Sequence, residues 1–198
     1  MKYYISDLHL FHDNVIKFDK RNFKDVDDMF HTIKERWNGR VTNSDDIYIL
    51  GDFIWLPESE WADIVSQFNG RKVLVRGNHD PECFSKATRK LFVDIRDKVE
   101  TTDKGRHIIM SHFPELAYRA DYNPDCYMLY GHVHMSREAG YIREFRDIIR
   151  SRVAGIRGEP LGQCLHVGCM EPYMDYTPRT LDEIIEGDKR CYPPKTTS

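Results

Sequence analysis

Residues able to hold a metal ion recur along this 198-residue chain in short blocks: Asp7-Leu8-His9, Gly51-Asp52, Gly77-Asn78-His79-Asp80, His112 and Gly131-His132-Val133-His134. Carboxylate, imidazole and amide donors in this mixture suit Mn, Fe, Zn, Co or Ni better than Ca or Mg, and the absence of thiolate argues against a structural zinc site. Asp7, His9, Asp52, Asn78, His112, His132 and His134 are too many donors for one four-coordinate ion that keeps a position open for water. Two ions fit the count if Asp52 bridges them. Asp7-x-His9 and His132-x-His134 match the period of extended chain, which predicts that both members of each pair face one side. Such a pair chelates one ion or reaches two adjacent ones. Gly51, Gly77 and Gly131 are expected to supply backbone conformations open only to glycine as the chain turns out of a strand.

These blocks must be carried by elements that end at a common place. Apolar runs rich in Val, Ile and Tyr predict strands over Lys2–Ser6, Asp46–Leu50, Lys72–Arg76, His107–Ser111 and Tyr127–Tyr130, with another near Gln163–Val167. Each of the first five runs straight into one of the blocks, and ligands of α/β sheets bind outside the carboxyl ends of strands. Val26, Met29, Phe30, Ile33 and Trp37 fall at helical spacing behind Asp25, a capping residue, with Gly39 just past the end. Trp61, Ile64, Val65 and Phe68 repeat the pattern before Gly70. Strands alternating with helices make the class α/β. A third amphipathic segment, Gly140 to Arg157, is expected to bury Ile142, Phe145, Ile149 and Val153 and to present Arg143, Arg146 and Arg150 together on a solvated face. Any one block alone also reads as a turn or a surface loop. All of them in order after predicted strands do not.

Composition bounds the remainder. Hydrophobic residues make up 40% and charged residues 31%, the balance of one soluble globular domain, expected over residues 1–187 with a polar tail from 188 to 198. No apolar run long enough to span a membrane and no signal segment is evident, which predicts a cytoplasmic protein with no membrane partner. A formal charge of -3 gives no global reason to bind nucleic acid, so that partner is not favoured. The five cysteines are scattered and read as reduced thiols. Of the nine histidines, His31 and His107 read as structural and His166 belongs to no motif. His12, near His9, is a candidate substrate contact, as are Arg119 and Asn123 on the loop before His132.

The blocks from Asp7 to His134 resemble the calcineurin-like metallophosphoesterase superfamily, whose pattern is D-x-H, GD, GNH[D/E], H and GHxH. The resemblance implies a four-layer α/β/β/α sandwich of two mixed sheets with a dinuclear site on its rim. It assigns Asp7, His9, Asp52 and His134 to one ion and Asp52, Asn78, His112 and His132 to the other. His79 would be the catalytic histidine outside the metal shell, with Asp80 holding its ring. Ser6-Asp7-Leu8-His9-Leu10-Phe11-His12, Val167-Gly168-Cys169, Tyr176-Thr177-Pro178 and Leu181-Asp182-Glu183-Ile184 look like a group of short bacterial and phage phosphoesterases. Gly51-Asp52-Phe53-Ile54-Trp55-Leu56 departs from the GDxVDRG of protein phosphatases and disfavours that activity. The expected reaction is hydrolysis of a phosphomonoester or phosphodiester of a small molecule, a nucleotide among the candidates. A metal-bridging hydroxide would attack phosphorus, and His79 would protonate the leaving group. The alternatives are a nuclease using the 143–150 arginines as a phosphate track on single-stranded nucleic acid, and a non-catalytic metal-bearing scaffold.

Overall fold

Four strands, β1 (Lys2–Ile5), β2 (Asp46–Ile49), β3 (Arg71–Val75) and β4 (Phe92–Arg96), pair in that order and all in parallel. Parallel neighbours need crossover connections. These carry α1 (Asp13–Phe18) and α2 (Val26–Asn38), then α3 (Glu58–Val65), then the short α4 (Lys86–Arg89). The structure is a computed structural model describing residues 1–152 and 163–193. In its second sheet β5 (Lys98–Asp103) runs antiparallel to β6 (Arg106–Ser111), and β7 (Cys126–Tyr130) and β8 (Cys164–His166) follow in parallel. The last two helices are α5 (Arg137–Arg152) and α6 (Leu181–Cys191). Two four-stranded sheets flanked by helices are the α/β architecture that the resemblance implies.

Strand alternation assigns the layers. Ile108 and Met110 of β6 join one core with β1, β2, β3, α2 and α3, whereas Ile109 joins Met128, Tyr130 and Ala139 under α5. Helix α2 forms where its periodicity predicts, with the Asp25 carboxylate accepting the Asp28 amide at 2.9 Å. Met29 and Ile33 are fully buried, which contributes about 1.5–3 kcal/mol apiece. The sheets are stitched at the rim: the Ser6 amide donates to the Val167 carbonyl and the Cys169 amide to the Ser6 carbonyl, each at 2.9 Å. That seam lies one residue before Asp7. No helix among the described residues is long and apolar enough to cross a membrane.

Three expectations are corrected. Helix α5 turns its arginines inward: Arg146 is buried, whereas Tyr141, Phe145 and Ile148 are exposed. Its guanidinium donates to Asp188 of α6 at 2.7 Å, and Arg143 lies 3.6 Å from buried Glu171, so buried carboxylates override the apolar periodicity. Val153, expected on the buried face, lies outside the described residues. The expected polar tail from 188 begins inside α6, which continues to Cys191 because Asp188 is anchored by Arg146. Third, β4 and β5 were not expected, because edge strands with an exposed face lack a continuous apolar run; β5 alternates exposed and half-buried residues.

Candidate metal centre

The loops leaving β1, β2 and β7 carry their ligands in strained backbone. Asp7 (φ 56°), His9 (φ 47°), Asp52 (φ 52°), His132 (φ 70°) and His134 (φ 46°) are all left-handed, a conformation costing about 1–2 kcal/mol per non-glycine residue. This corrects the extended-chain reading of the two paired motifs. Each pair shares a side because buried Leu8 or Val133 separates two left-handed residues. The strain is held by ties between loops, with the Asp7 amide on the Gly51 carbonyl at 3.1 Å and the His9 amide on the Asp52 carbonyl at 2.9 Å. Only Gly51 uses the expected glycine conformation (φ 85°). Gly77 and Gly131 are needed for space instead: a Cβ on Gly77 would lie 2.2 Å from Asp52 Oδ1, and one on Gly131 2.6 Å from Asp7 Oδ2.

All seven expected ligands converge. His9 Nε2 lies 3.2 Å from His134 Nε2 and 3.5 Å from Asp52 Oδ2, and His134 Nε2 is 3.7 Å from Asp7 Oδ1. On the other side His112 Nε2 lies 3.5 Å from Asp52 Oδ2 and 3.0 Å from Asn78 Oδ1, which His132 Nδ1 approaches to 2.9 Å. Asp7, His9 and His134 form one potential ligand group and Asp7, Asp52 and His112 another. Asp7 therefore straddles the two halves, as Asp52 does.

Tautomers show why this set suits a cation. His112 Nδ1 is 2.7 Å from the Leu50 carbonyl, which only accepts, so Nδ1 carries the proton. Neutral His112 then aims the Nε2 lone pair at a carboxylate and at an amide oxygen, both acceptors. His134 is fixed likewise, Nδ1 facing Asp19 Oδ2 at 2.8 Å and Nε2 facing inward. Positive charge resolves the clash of acceptors. In the protein alone it falls on His112: burial works to lower its pKa, but Asp52 and Asp7 outweigh burial and hold it up at about 9. Asp52 is held down at about 2, burial being outweighed by its contacts with His112 and the His79 amide. Metal ions at the same place would satisfy these lone pairs together.

A sequence model described as the calcineurin-like phosphoesterase superfamily domain matches residues 2–151. The chain belongs to the calcineurin-like phosphoesterase superfamily. It is 30% identical over 173 residues to an uncharacterized Methanocaldococcus jannaschii protein, MJ1445, covering 85% of this chain and 90% of that one. The crystal structure of the protein of unknown function AQ665 from Aquifex aeolicus aligns with a TM-score of 0.63 at 28% identity, covering 94% of this chain and 98% of that one.

In this phosphoesterase domain His79 is exposed on the rim, its ring 4.8 Å from that of Trp55 and 5.8 Å from that of His9. Its amide donates to Asp52 Oδ1 at 2.9 Å, tying it to a ligand. Asp80 does not hold the His79 ring. Its carboxylate instead accepts the amides of Asp52, Phe53 and Gly77 at 3.0, 3.0 and 2.8 Å, locking the two loops together. Burial pushes Asp80 up to about 6 against those donors. His12 stacks on Trp55 at 3.9 Å and on the edge of Phe18 at 6.0 Å. Arg119 pairs with Glu100 at 3.4 Å and Asn123 accepts the Asp125 amide at 3.0 Å, both outside the ligand cluster.

Arg21, Asp19 and His166 support the site and belong to no motif. Arg21, buried, donates to the Asp7 and Leu8 carbonyls at 2.8 and 2.7 Å and so holds the left-handed turn, while Asp19 pairs with it at 2.9 Å and orients His134. His166 stacks on Tyr130, donates from Nδ1 toward Glu171 at 2.7 Å and brings Nε2 to 4.0 Å from Asp7 Oδ2. These residues act through backbone carbonyls or across distant segments. The one signal in the sequence was the position of His166 at the end of a predicted strand, close to where the candidate ligand histidines also fall.

Proposed function

We propose that the protein is a metal-dependent hydrolase of small phosphate esters. The observation that carries this reading is the convergence of inward lone pairs from Asp7, His9, Asp52, Asn78, His112, His132 and His134 beside an exposed histidine outside that set. Two transition-metal ions, drawn from Mn, Fe, Zn, Co or Ni, would be held by these residues and would supply Lewis acidity toward phosphoryl oxygens and a more acidic water. Asp52 lies between the two histidine groups, its Oδ2 3.5 Å from His9 Nε2 and from His112 Nε2 alike. Asp19 and the Leu50 carbonyl keep the Nε2 atoms of His134 and His112 available as donors to metal. The ring of His79 gives its proton to the ester oxygen that departs, and the tie from its amide to Asp52 anchors its backbone beside the candidate ligands.

Clefts of about 300 and 390 Å³ adjoin the candidate ligands and a third, of about 300 Å³, adjoins His79, room for a small molecule. The nuclease alternative loses its support because the arginines of α5 pack against Asp188 and Glu171. The test compares His79→Ala with the wild type, both metal-loaded, on alkyl and nitrophenyl esters. A role at the leaving group predicts a loss of roughly 10²–10⁴-fold on alkyl esters and much less on nitrophenyl esters. Equal loss on both would refute the assignment. Inactivity of the wild type on every ester with both metals bound would favour the scaffold.

A further inference from the structure

Two exposed rings stand at opposite ends of the ligand row. Trp55, 40% exposed, packs beside His9 and His79, while Phe113, 49% exposed, packs on His132 at 4.4 Å and on His112 at 5.2 Å. His9 and His112 in turn flank Asp52 at 3.5 Å on either side. A phosphate centred over Asp52 therefore has one aromatic ring beyond each end. Trp55 is held in place. The Trp55 amide donates to the Leu10 carbonyl at 2.8 Å and its indole is stacked on His12 with 24° between planes.

The clefts beside these rings are poor in positive charge. That at Trp55 is lined by Ile54, Trp55, Leu56, Pro57 and His79. That at Phe113 includes one cation, Arg76, whose Nε donates to Asp97 at 2.8 Å and whose Nη1 donates to the Glu82 carbonyl at 3.0 Å. The third, between Phe18 and Met135, carries Asp19 and Glu138 and no Lys or Arg. A polyphosphate or a sugar phosphate with further anionic groups would find no unpaired cation among the described residues lining these clefts. A phosphodiester carries a single negative charge, and its two ester groups leave the phosphorus in different directions. Exposed apolar surface on both sides of a polar centre fits such a ligand, because flat groups remove it from water.

We propose that Trp55 and Phe113 seat the two ester arms of a phosphodiester whose arms are flat and uncharged, an aryl group or a nucleobase. Trp55, beside His79, takes the leaving arm and Phe113 the retained one. The proposal rests on the phosphoesterase reading and adds to it a choice of diester over monoester and of planar over aliphatic arms.

Binding and turnover are measured separately on protein loaded with two equivalents of zinc. Calorimetric titration with diphenyl, methyl phenyl and dimethyl phosphate should give dissociation constants rising by roughly ten-fold for each phenyl group lost, the scale of aromatic stacking on a base. Phe113→Leu should bring diphenyl phosphate to the level of methyl phenyl phosphate. Trp55→Leu should weaken diphenyl phosphate roughly ten-fold, leave dimethyl phosphate unchanged, and be rescued by Trp55→Phe. On bis(4-nitrophenyl) phosphate the Leu variants should raise KM more than they lower kcat. Equal binding of the three diesters by the wild type would overturn the proposal, as would a Trp55→Leu variant that loses kcat at unchanged affinity. Ranked binding without hydrolysis by protein loaded with any of the candidate metals would uphold the subsites and overturn the phosphoesterase reading instead.

Discussion

Removing the carboxylate of Asp188 should cost more stability than almost any other single polar change away from the ligands. Arg146 and Asp188 are 4% and 2% exposed, and their 2.7 Å contact joins α5 to α6. Burial works against the charge on Arg146, yet Asp188 outweighs it and the guanidinium pKa is raised; burial also pushes the Asp188 carboxyl up against the pull of Arg146. The short contact in a site closed to water favours the ionised pair. Among the described residues, Asp188→Ala leaves Arg146 facing the Cys164 carbonyl, at 3.4 Å, and the more distant Asp147, at 4.0 Å. Breaking a buried pair in this way costs about 3–5 kcal/mol, which in a chain of this size lowers Tm by roughly 6–20 °C. Urea and thermal denaturation followed by circular dichroism measure it, with Glu186→Ala, which breaks an exposed pair with Lys189, as a control expected to cost under about 1 kcal/mol. The double change Arg146→Met with Asp188→Leu should recover most of the loss, since an apolar pair carries no desolvation penalty. A loss below about 1 kcal/mol in Asp188→Ala would mean that the arginine swings into water at little cost, refuting the account of why α5 turns its polar side inward.

Three further outcomes follow from the same contacts. Asp19→Asn removes the carboxylate that orients His134 and should weaken metal binding roughly 10–100-fold, read by calorimetric titration of the metal, with the fold retained. Gly77→Ala drives a Cβ to within 2.2 Å of Asp52 Oδ1 and should likewise displace that ligand and reduce metal content, which elemental analysis would detect. At Glu171, burial works to raise the carboxyl pKa but is outweighed by hydrogen bonds from His166 and Tyr192, so it lies below its ordinary 4.5. A depressed folded value stabilises above the unfolded pKa and is lost as pH falls through the folded one. The stability gap between wild type and Glu171→Gln should therefore narrow as pH drops below about 4.5; a constant gap would contradict the shift.

The candidate ligands were legible because metal binding demands particular residue types, and a parallel sheet delivers them at predictable places, just past apolar strands. His112 shows this: a lone histidine gained meaning from the strand before it and from its neighbours in order. Other residues were hidden because their work depends on what folding brings near. Asp19 and Arg21 resemble any polar pair on a loop until Arg21 is found between the Asp7 and Leu8 carbonyls. Asp80, placed by analogy on the His79 ring, turns instead to three backbone amides, a choice made by loop packing.

Helix α5 marks the same boundary. Periodicity in Ile142, Phe145 and Ile149 predicted an apolar inner face, because the hydrophobic pattern is a local property of the chain. Asp188 and Glu171 lie tens of residues away and reach α5 only in the folded state, where they draw the arginines inward. The sequence by itself determined the ligand types, their order and the α/β class, all consequences of local composition and spacing. Tertiary structure alone decided the left-handed turns that aim the ligands, the tautomers fixed by Asp19 and the Leu50 carbonyl, and the rings that flank the site, since each arises where distant segments meet.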